Sequence, residues 1–289
     1  MKLKAKDFRA KPGEPVDLSA WPTHVAAPFK TKAQWRAMLS RHAETLSGMQ
    51  EKLFASRQYA LLIILQGMDS AGKDGVIRHV MSGINPQGCD VSSFKAPTEE
   101  EHLHDFLWRA VKALPARGMI GIFNRSYYEE VLVVRVHPGD LAAEGDSPKG
   151  AAHRKYWRDR YRSITELEAH LHRNGTRIVK IFLHLSKDEQ RRRFLARIDE
   201  PVKNWKLSLA DISERKFWKP YQRAYEACIA GSGSKDCPWH IVPADDKPTE
   251  RLIVSQIILE AMQDLDLQFP RSTQAHTEEL LAYRDQLLA

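Results

Sequence analysis

The chain has 289 residues, 43% of them hydrophobic, and carries 44 Lys and Arg against 37 Asp and Glu, a formal net charge of +7. That composition excludes global disorder and allows one large α/β domain, and the basic excess points to a polyanionic partner. Three cysteines without a C-x-x-C pair (Cys89, Cys228, Cys237) argue against a disulfide framework or zinc site; with no signal-like start and no bilayer-length apolar run, the expected location is the cytoplasm, with no membrane partner.

Residues 1–30, with Pro12, Pro15, Pro22 and Pro28, predict an extended arm. Trp35, Met38, Leu39, His42, Leu46, Met49 and Leu53 recur at helical spacing and predict a helix over residues 31–57. An apolar run at 60–65 predicts a buried strand, then a glycine-containing loop and a helix from Lys73. Further strands are expected at 89–94, 118–123, 177–185 and 239–243. Helices are expected at 98–114, 125–136, 153–173, 187–198, 211–230 and 248–265, with a loop at 137–150. Thr98 and Glu101 form a capping-box pair, and Asn174-Gly175 marks a helix end. Strands alternating with helices predict an α/β fold with a parallel sheet covered on both faces.

Residues 66–74 read QGMDSAGKD, so Gly67 to Lys73 fits G-x-x-x-x-G-K directly after a buried strand and at the start of a helix. Glycines let backbone N–H groups wrap an anion, the helix N-terminus adds partial positive charge, and Lys73 adds a full one. Gly67, Ser70, Ala71, Gly72 and Asp74 are therefore candidate phosphate-binding residues. Position 74 is Asp where such loops usually carry a Ser or Thr hydroxyl; it also suits a first-turn carboxylate favoured by the helix dipole. Asp69 lies inside the loop, and like charges ~4 Å apart cost about 4 kcal/mol at an effective dielectric near 20. A divalent cation between them would relieve that cost, so Asp69 is read as a Mg2+ ligand or a group that positions the acceptor; the plainer alternative is a solvated loop carboxylate.

The strand at 118–123 runs into Asn124-Arg125-Ser126-Tyr127-Tyr128-Glu129-Glu130. Ligands of open parallel sheets bind beyond the carboxyl ends of strands, where a Walker B carboxylate is expected; here that place holds Asn124. Glu129 or Glu130 is expected to take over metal contact or to orient the acceptor, with capping and surface charge as the alternative. Residues 187–223 hold eleven Lys and Arg, among them Arg191, Arg192 and Arg197, against six acids. This stretch predicts a basic lid that closes over phosphates and excludes water. The twelve His show no metal spacing. Trp108, Trp157 and Trp218 are expected in the core, whereas Trp205 stands apart in the basic segment.

The segments LLIILQGMDSAGKDGVIRHVMSGINPQGCDVSSFKAPTEEE, GIFNRSYYEEVLVVRVHP, RRRFLARIDEPVKNWKLSLADISERKFW and PWHIVPADDK, in this order, resemble the polyphosphate kinase 2 family. The resemblance covers about residues 31–265. It implies a P-loop kinase of thymidylate-kinase-like type: a three-layer α/β sandwich with a parallel sheet, a helical N-terminal extension and a helical lid. The expected division is an arm and helix at 1–57, a kinase domain at 58–267 with the lid at about 187–216, and a tail at 268–289. It also implies Mg2+-dependent transfer, with Mn2+ as a substitute, between inorganic polyphosphate and AMP, ADP or ATP, with guanine nucleotides as further candidates. A homo-oligomer, dimer or tetramer, is implied as well. No nucleic acid partner is expected, since interleaved aromatic and basic surface motifs are lacking.

Asp69, Gly72 and Lys73 fall on the family's Walker A residues, and Asn124-Arg125 on its Asp-Arg pair. Arg135 falls on a basic residue of the following helix and Arg197 in the lid. The expected catalytic set is thus Asp69, Lys73, Arg125 and Arg197. Arg135, Arg191 and Arg192 join the phosphate-binding set. Phe94, Lys95, Pro97, Asn124, Glu129 and Glu130 are expected at the nucleotide, and Asp69, Glu129 and Glu130 at the metal. Rival readings are an ATP-dependent nucleotide kinase of the same fold, a nucleic-acid-binding P-loop NTPase, and a non-catalytic nucleotide-binding scaffold.

Overall fold

The structure, a computed structural model, describes residues 3–137 and 151–288; the loop expected at 137–150 lies, after His137, outside them. Five parallel strands form one sheet: β1 (Ala60–Gly67), β2 (Cys89–Ser93), β3 (Ile120–Asn124), β4 (Thr176–His184) and β5 (Trp239–Pro243), in the order β2-β3-β1-β4-β5. The helices are α1 (Lys32–Ser56), α2 (Lys73–Val80), α3 (Glu99–His102), α4 (Trp108–Lys112), α5 (Glu129–Val136) and α6 (Ala151–Arg173). They continue with α7 (Lys187–Asp199), α8 (Leu209–Glu214), α9 (Trp218–Ser232), α10 (Lys247–Gln263) and α11 (Gln274–Leu288).

β1 is apolar without alternation because both of its faces are covered. Leu61, Ile63 and Leu65 pack with α1, α2 and α10, where Leu46, Leu53, Val76 and Ile257 meet them. Leu62 and Ile64 point the other way, into Tyr127, Trp157, Tyr225 and Phe182 under α5, α6 and α9. That second layer holds a charge. Lys180 Nζ, on β4 and fully buried, donates to Glu168 Oε2 at 2.6 Å, Tyr128 OH at 3.0 Å and the Ser232 carbonyl at 2.7 Å. Glu168 Oε1 accepts from Tyr127 and Tyr128 at 2.9 and 2.7 Å. One network thereby ties α6, α9, β4 and the turn before α5.

Several expected elements change form. The helix expected at 98–114 is two short ones, α3 and α4. The Thr98–Glu101 capping box forms, but Asp105 starts a new turn by accepting from Leu107 N through its carboxylate and from Trp108 N through its carbonyl. The helix expected at 125–136 begins only at Glu129, because Arg125 takes a left-handed φ of 68°. The helix expected at 211–230 divides into α8 and α9 around a 3-10 turn. Pro220, near the start of α9, has no N–H with which to continue an incoming helix. The arm does not stand apart: Leu3, Phe8, Ala10 and Leu18 are buried, and Ala10 N donates to the Trp239 carbonyl at 2.9 Å. Residues 274–288 of the expected tail are helical. No helix among the described residues is long and apolar enough to cross a membrane.

Candidate active site at the carboxyl ends of the strands

The loop between β1 and α2 is shaped by close approaches. A side-chain carbon on Gly67 would meet Ala71 Cβ and the Leu183 carbonyl oxygen, both at 3.0 Å. Ser70 and Gly72 take φ of 64° and 120°. The loop's carbonyls are held from behind. Arg193 of α7, buried, donates to the Ser70 and Ala71 carbonyls at 2.8 and 2.9 Å, and Gln190 Nε2 to the Asp69 carbonyl at 3.0 Å. With the carbonyls occupied on that side, the N–H groups at the start of α2 are left for an anion.

Lys73 Nζ donates to the carbonyls of Gly67 at 2.6 Å and Met68 at 3.4 Å, closing the loop on itself. Burial and the neighbouring Arg125 push its pKa down to about 8, against the pull of Asp69, Glu129 and Asp74. Arg125 stands at the tip of β3, its guanidinium forked between Asp69 Oδ1 at 3.0 Å and Glu129 Oε2 at 2.9 Å. Glu129 above all holds that guanidinium charged. Asn124 Nδ2 donates to Asp74 Oδ1 at 2.9 Å, joining the end of β3 to the start of α2.

These groups open into a cleft of about 850 Å3. Ten expected site residues line it: Asp69, Ser70, Ala71, Gly72, Lys73, Asp74, Asn124, Arg125, Arg192 and Arg197. Gly67 closes the loop behind them, and Glu129 is tied in through Arg125. The opposite wall adds Lys203, Trp205 and Lys206, then Lys247, Glu250 and Arg251 from the first turn of α10. The sequence places Arg193 only among the charges of the basic segment 187–223 and gives no site expectation for Lys247, Glu250 and Arg251. The last three had a signal, since they follow directly on the carboxyl end of β5.

Other expected residues lie elsewhere. Arg191 is exposed and does not line the cleft. Arg135 donates to Tyr161 OH at 2.8 Å and faces Trp157, in a separate groove shared with Arg154 and Arg158. Phe94 is buried edge-on against Phe123, and Lys95 is exposed with its carbonyl accepting from Arg109 at 2.8 Å. Pro97 lines a smaller cavity of about 250 Å3 that also contains Glu130. Glu130, expected at the metal, is buried and held between Arg109 at 3.0 Å and Arg160 at 3.6 Å. Two guanidiniums take the oxygens a metal would need. Among the described residues, no three His, Cys, Asp or Glu side chains gather as a metal cage.

The sequence profile described as Polyphosphate kinase 2 matches residues 30–270. An ADP-polyphosphate phosphotransferase of Rhodopseudomonas palustris is 58% identical over 289 residues, all of both chains. An AMP/ADP-polyphosphate phosphotransferase of Meiothermus ruber is 41% identical over 264 residues, 91% of this chain and 92% of its own. The crystal structure of polyphosphate kinase 2 from Arthrobacter aurescens superposes with a TM-score of 0.86 at 39% identity, over 98% of this chain and 97% of that one. A match of this extent, on a chain whose glycine-containing loop joins β1 to α2 of a parallel sheet, shows that the protein belongs to the polyphosphate kinase 2 family and has its P-loop kinase fold.

Proposed function

We propose that this protein transfers phosphoryl groups reversibly between inorganic polyphosphate and nucleoside mono- and diphosphates, carrying AMP through ADP to ATP. The cleft itself is the carrying observation. From the loop and Lys73 it continues along Arg192, Arg197, Lys203, Lys206, Lys247 and Arg251, a run of cations on α7, the following turn and α10. Nine Lys and Arg line the cleft against six Asp and Glu, a positive excess that extends beyond the loop and suits a linear polyanion. The names of the relatives in Rhodopseudomonas palustris and Meiothermus ruber support the same substrates.

In this reading the end of the phosphate chain lies on the loop amides and Lys73, and the acceptor nucleotide approaches from the Asn124–Arg125 side. An acceptor phosphate oxygen attacks the terminal phosphorus in line. The bridging P–O bond breaks, and the shortened chain leaves with that oxygen and its electron pair. The attacking oxygen is already ionised, so no strong base is required. Arg125 neutralises charge on the group in transfer, and Arg197 does so from the lid. The site fits Mg2+ held mainly by phosphate oxygens and water, with Asp69 as its protein carboxylate, rather than an all-protein cage. Mg2+ would supply charge neutralisation between phosphate oxygens.

Residues 187–216 serve as the lid. Val202, Trp205 and Leu209 there are about four-fifths exposed or more, at 79%, 79% and 86%, apolar surface that closure over the cleft would cover. A homo-oligomer is supported by α11, which buries none of its residues and leaves Leu287 and Leu288 uncovered, since an isolated helix of 15 residues is marginal in water. The test is ATP formation from purified protein, polyphosphate and Mg2+ with AMP, ADP, GMP or GDP in turn. No transfer with polyphosphate as sole donor overturns the proposal, and phosphorylation of AMP by ATP alone would favour a nucleotide kinase.

A further inference from the structure

Glu250 stands in the first turn of α10, in the wall of the cleft, and the transfer described above makes no use of it. It is 1% exposed, and its Oε1 is buried without a hydrogen-bond partner. The carboxyl lies against Gly72, the N-cap of α2. A side-chain carbon built on Gly72 would come within 2.7 Å of Oε1 and 3.0 Å of Oε2. Glu250 thus fills, from behind, the space a side chain at position 72 would occupy, directly against the anion loop.

The charged groups facing it are Arg193 from α7, Arg251 and Lys247 from its own helix, and Asp246 just before that helix. Farther out, Arg78 of α2 bears on Arg251, and Glu189 of α7 and Lys203 bear on Lys247. No cation forms an ion pair with Glu250 among the described residues. The Arg193 guanidinium is engaged instead by the carbonyls of Ser70, Ala71 and Ala244 and by Glu189. Burial without a donor therefore outweighs the nearby positive charge and pushes the carboxyl up to about 8. A phosphate on the loop amides adds negative charge on the other side of Gly72, which favours the protonated form further.

We propose that Glu250 is a proton-linked member of the phosphate site: the anion is gripped while the Glu250 carboxyl holds its proton, and binding above neutral pH draws that proton from solvent. The proposal rests on the cleft being the polyphosphate site. Below about pH 8 the proton is already in place and affinity is full. Above it the carboxylate must be reprotonated for binding, and affinity falls by up to about tenfold per pH unit. Lys73, lowered to about 8, loses its charge over the same range and acts in the same direction. Wild type therefore carries two proton-linked groups, and replacing Glu250 leaves one.

Isothermal titration calorimetry of the full chain with inorganic tripolyphosphate, in buffers of differing ionisation enthalpy between pH 6.5 and 9, tests this with wild type and Glu250→Gln. Expected are equal affinities at pH 6.5 and a proton uptake at pH 8 lower by about half a proton in the variant. Between pH 8 and 9, wild-type affinity should fall up to about tenfold further than that of the variant. Glu250→Met, of similar length and without a proton to exchange, should give the same result if the Gln variant folds poorly. Superposable pH curves with equal proton uptake overturn the proposal, as does weak binding by both variants at pH 6.5. Failure of wild type to bind tripolyphosphate at any pH overturns the polyphosphate reading, and this inference with it.

Discussion

Two glutamates, each 1% exposed, divide the molecule into a part built to stay put and a part built to respond. Glu168, on α6, accepts from Lys180, Tyr127 and Tyr128. Glu250, in the cleft wall, has an oxygen that accepts from nothing. Burial is equal but the surroundings differ: Glu168 is met by an ammonium and two phenols, whereas Glu250 Oε1 meets no donor, which disfavours its charged form. The core network spans β4, α6 and α9 and spends its charges on holding them together. The cleft leaves Glu250 unpaired beside a loop whose other polar groups are tied down by Arg193.

The sharpest break between the two regions is functional. Lys73→Ala should lower kcat/KM about 1000-fold, with Asp69→Asn of similar size, while thermal unfolding stays close to wild type. Near-normal turnover in both would remove the site. In the core the effect should invert. Glu168→Ala strands the buried Lys180 ammonium, at a cost of about 3–5 kcal/mol in denaturant unfolding, with activity per folded molecule retained. Loss of activity without loss of stability would contradict that separation.

Glu250 should show the opposite sign of stability effect. Its carboxyl titrates at about 8 when folded and near 4.5 when unfolded, so the native state loses stability as pH rises from 4.5 to 8 and no more above it. Glu250→Gln should therefore be more stable than wild type at pH 8, by on the order of 2–4 kcal/mol, with the gain gone by pH 4. Parallel melting curves across that range would sink this expectation. The smallest effect belongs to the exposed wall: Lys247→Ala should raise KM for polyphosphate no more than about fivefold, and less at high salt.

The P-loop was legible because its parts are contiguous: strand, glycines, lysine and helix start lie within residues 60–73. Thr98 with Glu101 was legible for the same reason. What failed were choices between neighbours. Glu129 and Glu130 are adjacent in the chain, yet one step along α5 turns Glu129 to Arg125 and Glu130 to Arg109 and Arg160. Arg191, Arg192 and Arg193 present one run of charge, and only helix phase sends Arg193 under the loop, Arg192 into the cleft wall and Arg191 to the surface.

By itself, the order of residues determined the alternation of strands and helices, the two-sided burial of β1 and the presence of a P-loop, since each depends on neighbours within a few positions. Tertiary structure alone decided which cations back the loop and which face the cleft, why Glu130 is taken from any metal, and why Glu250 is left unpaired. Those outcomes depend on contacts such as Arg193 to Ser70, 123 positions apart. Only the placing of α7 behind the loop and of α10 against the sheet brings such residues within hydrogen-bonding distance.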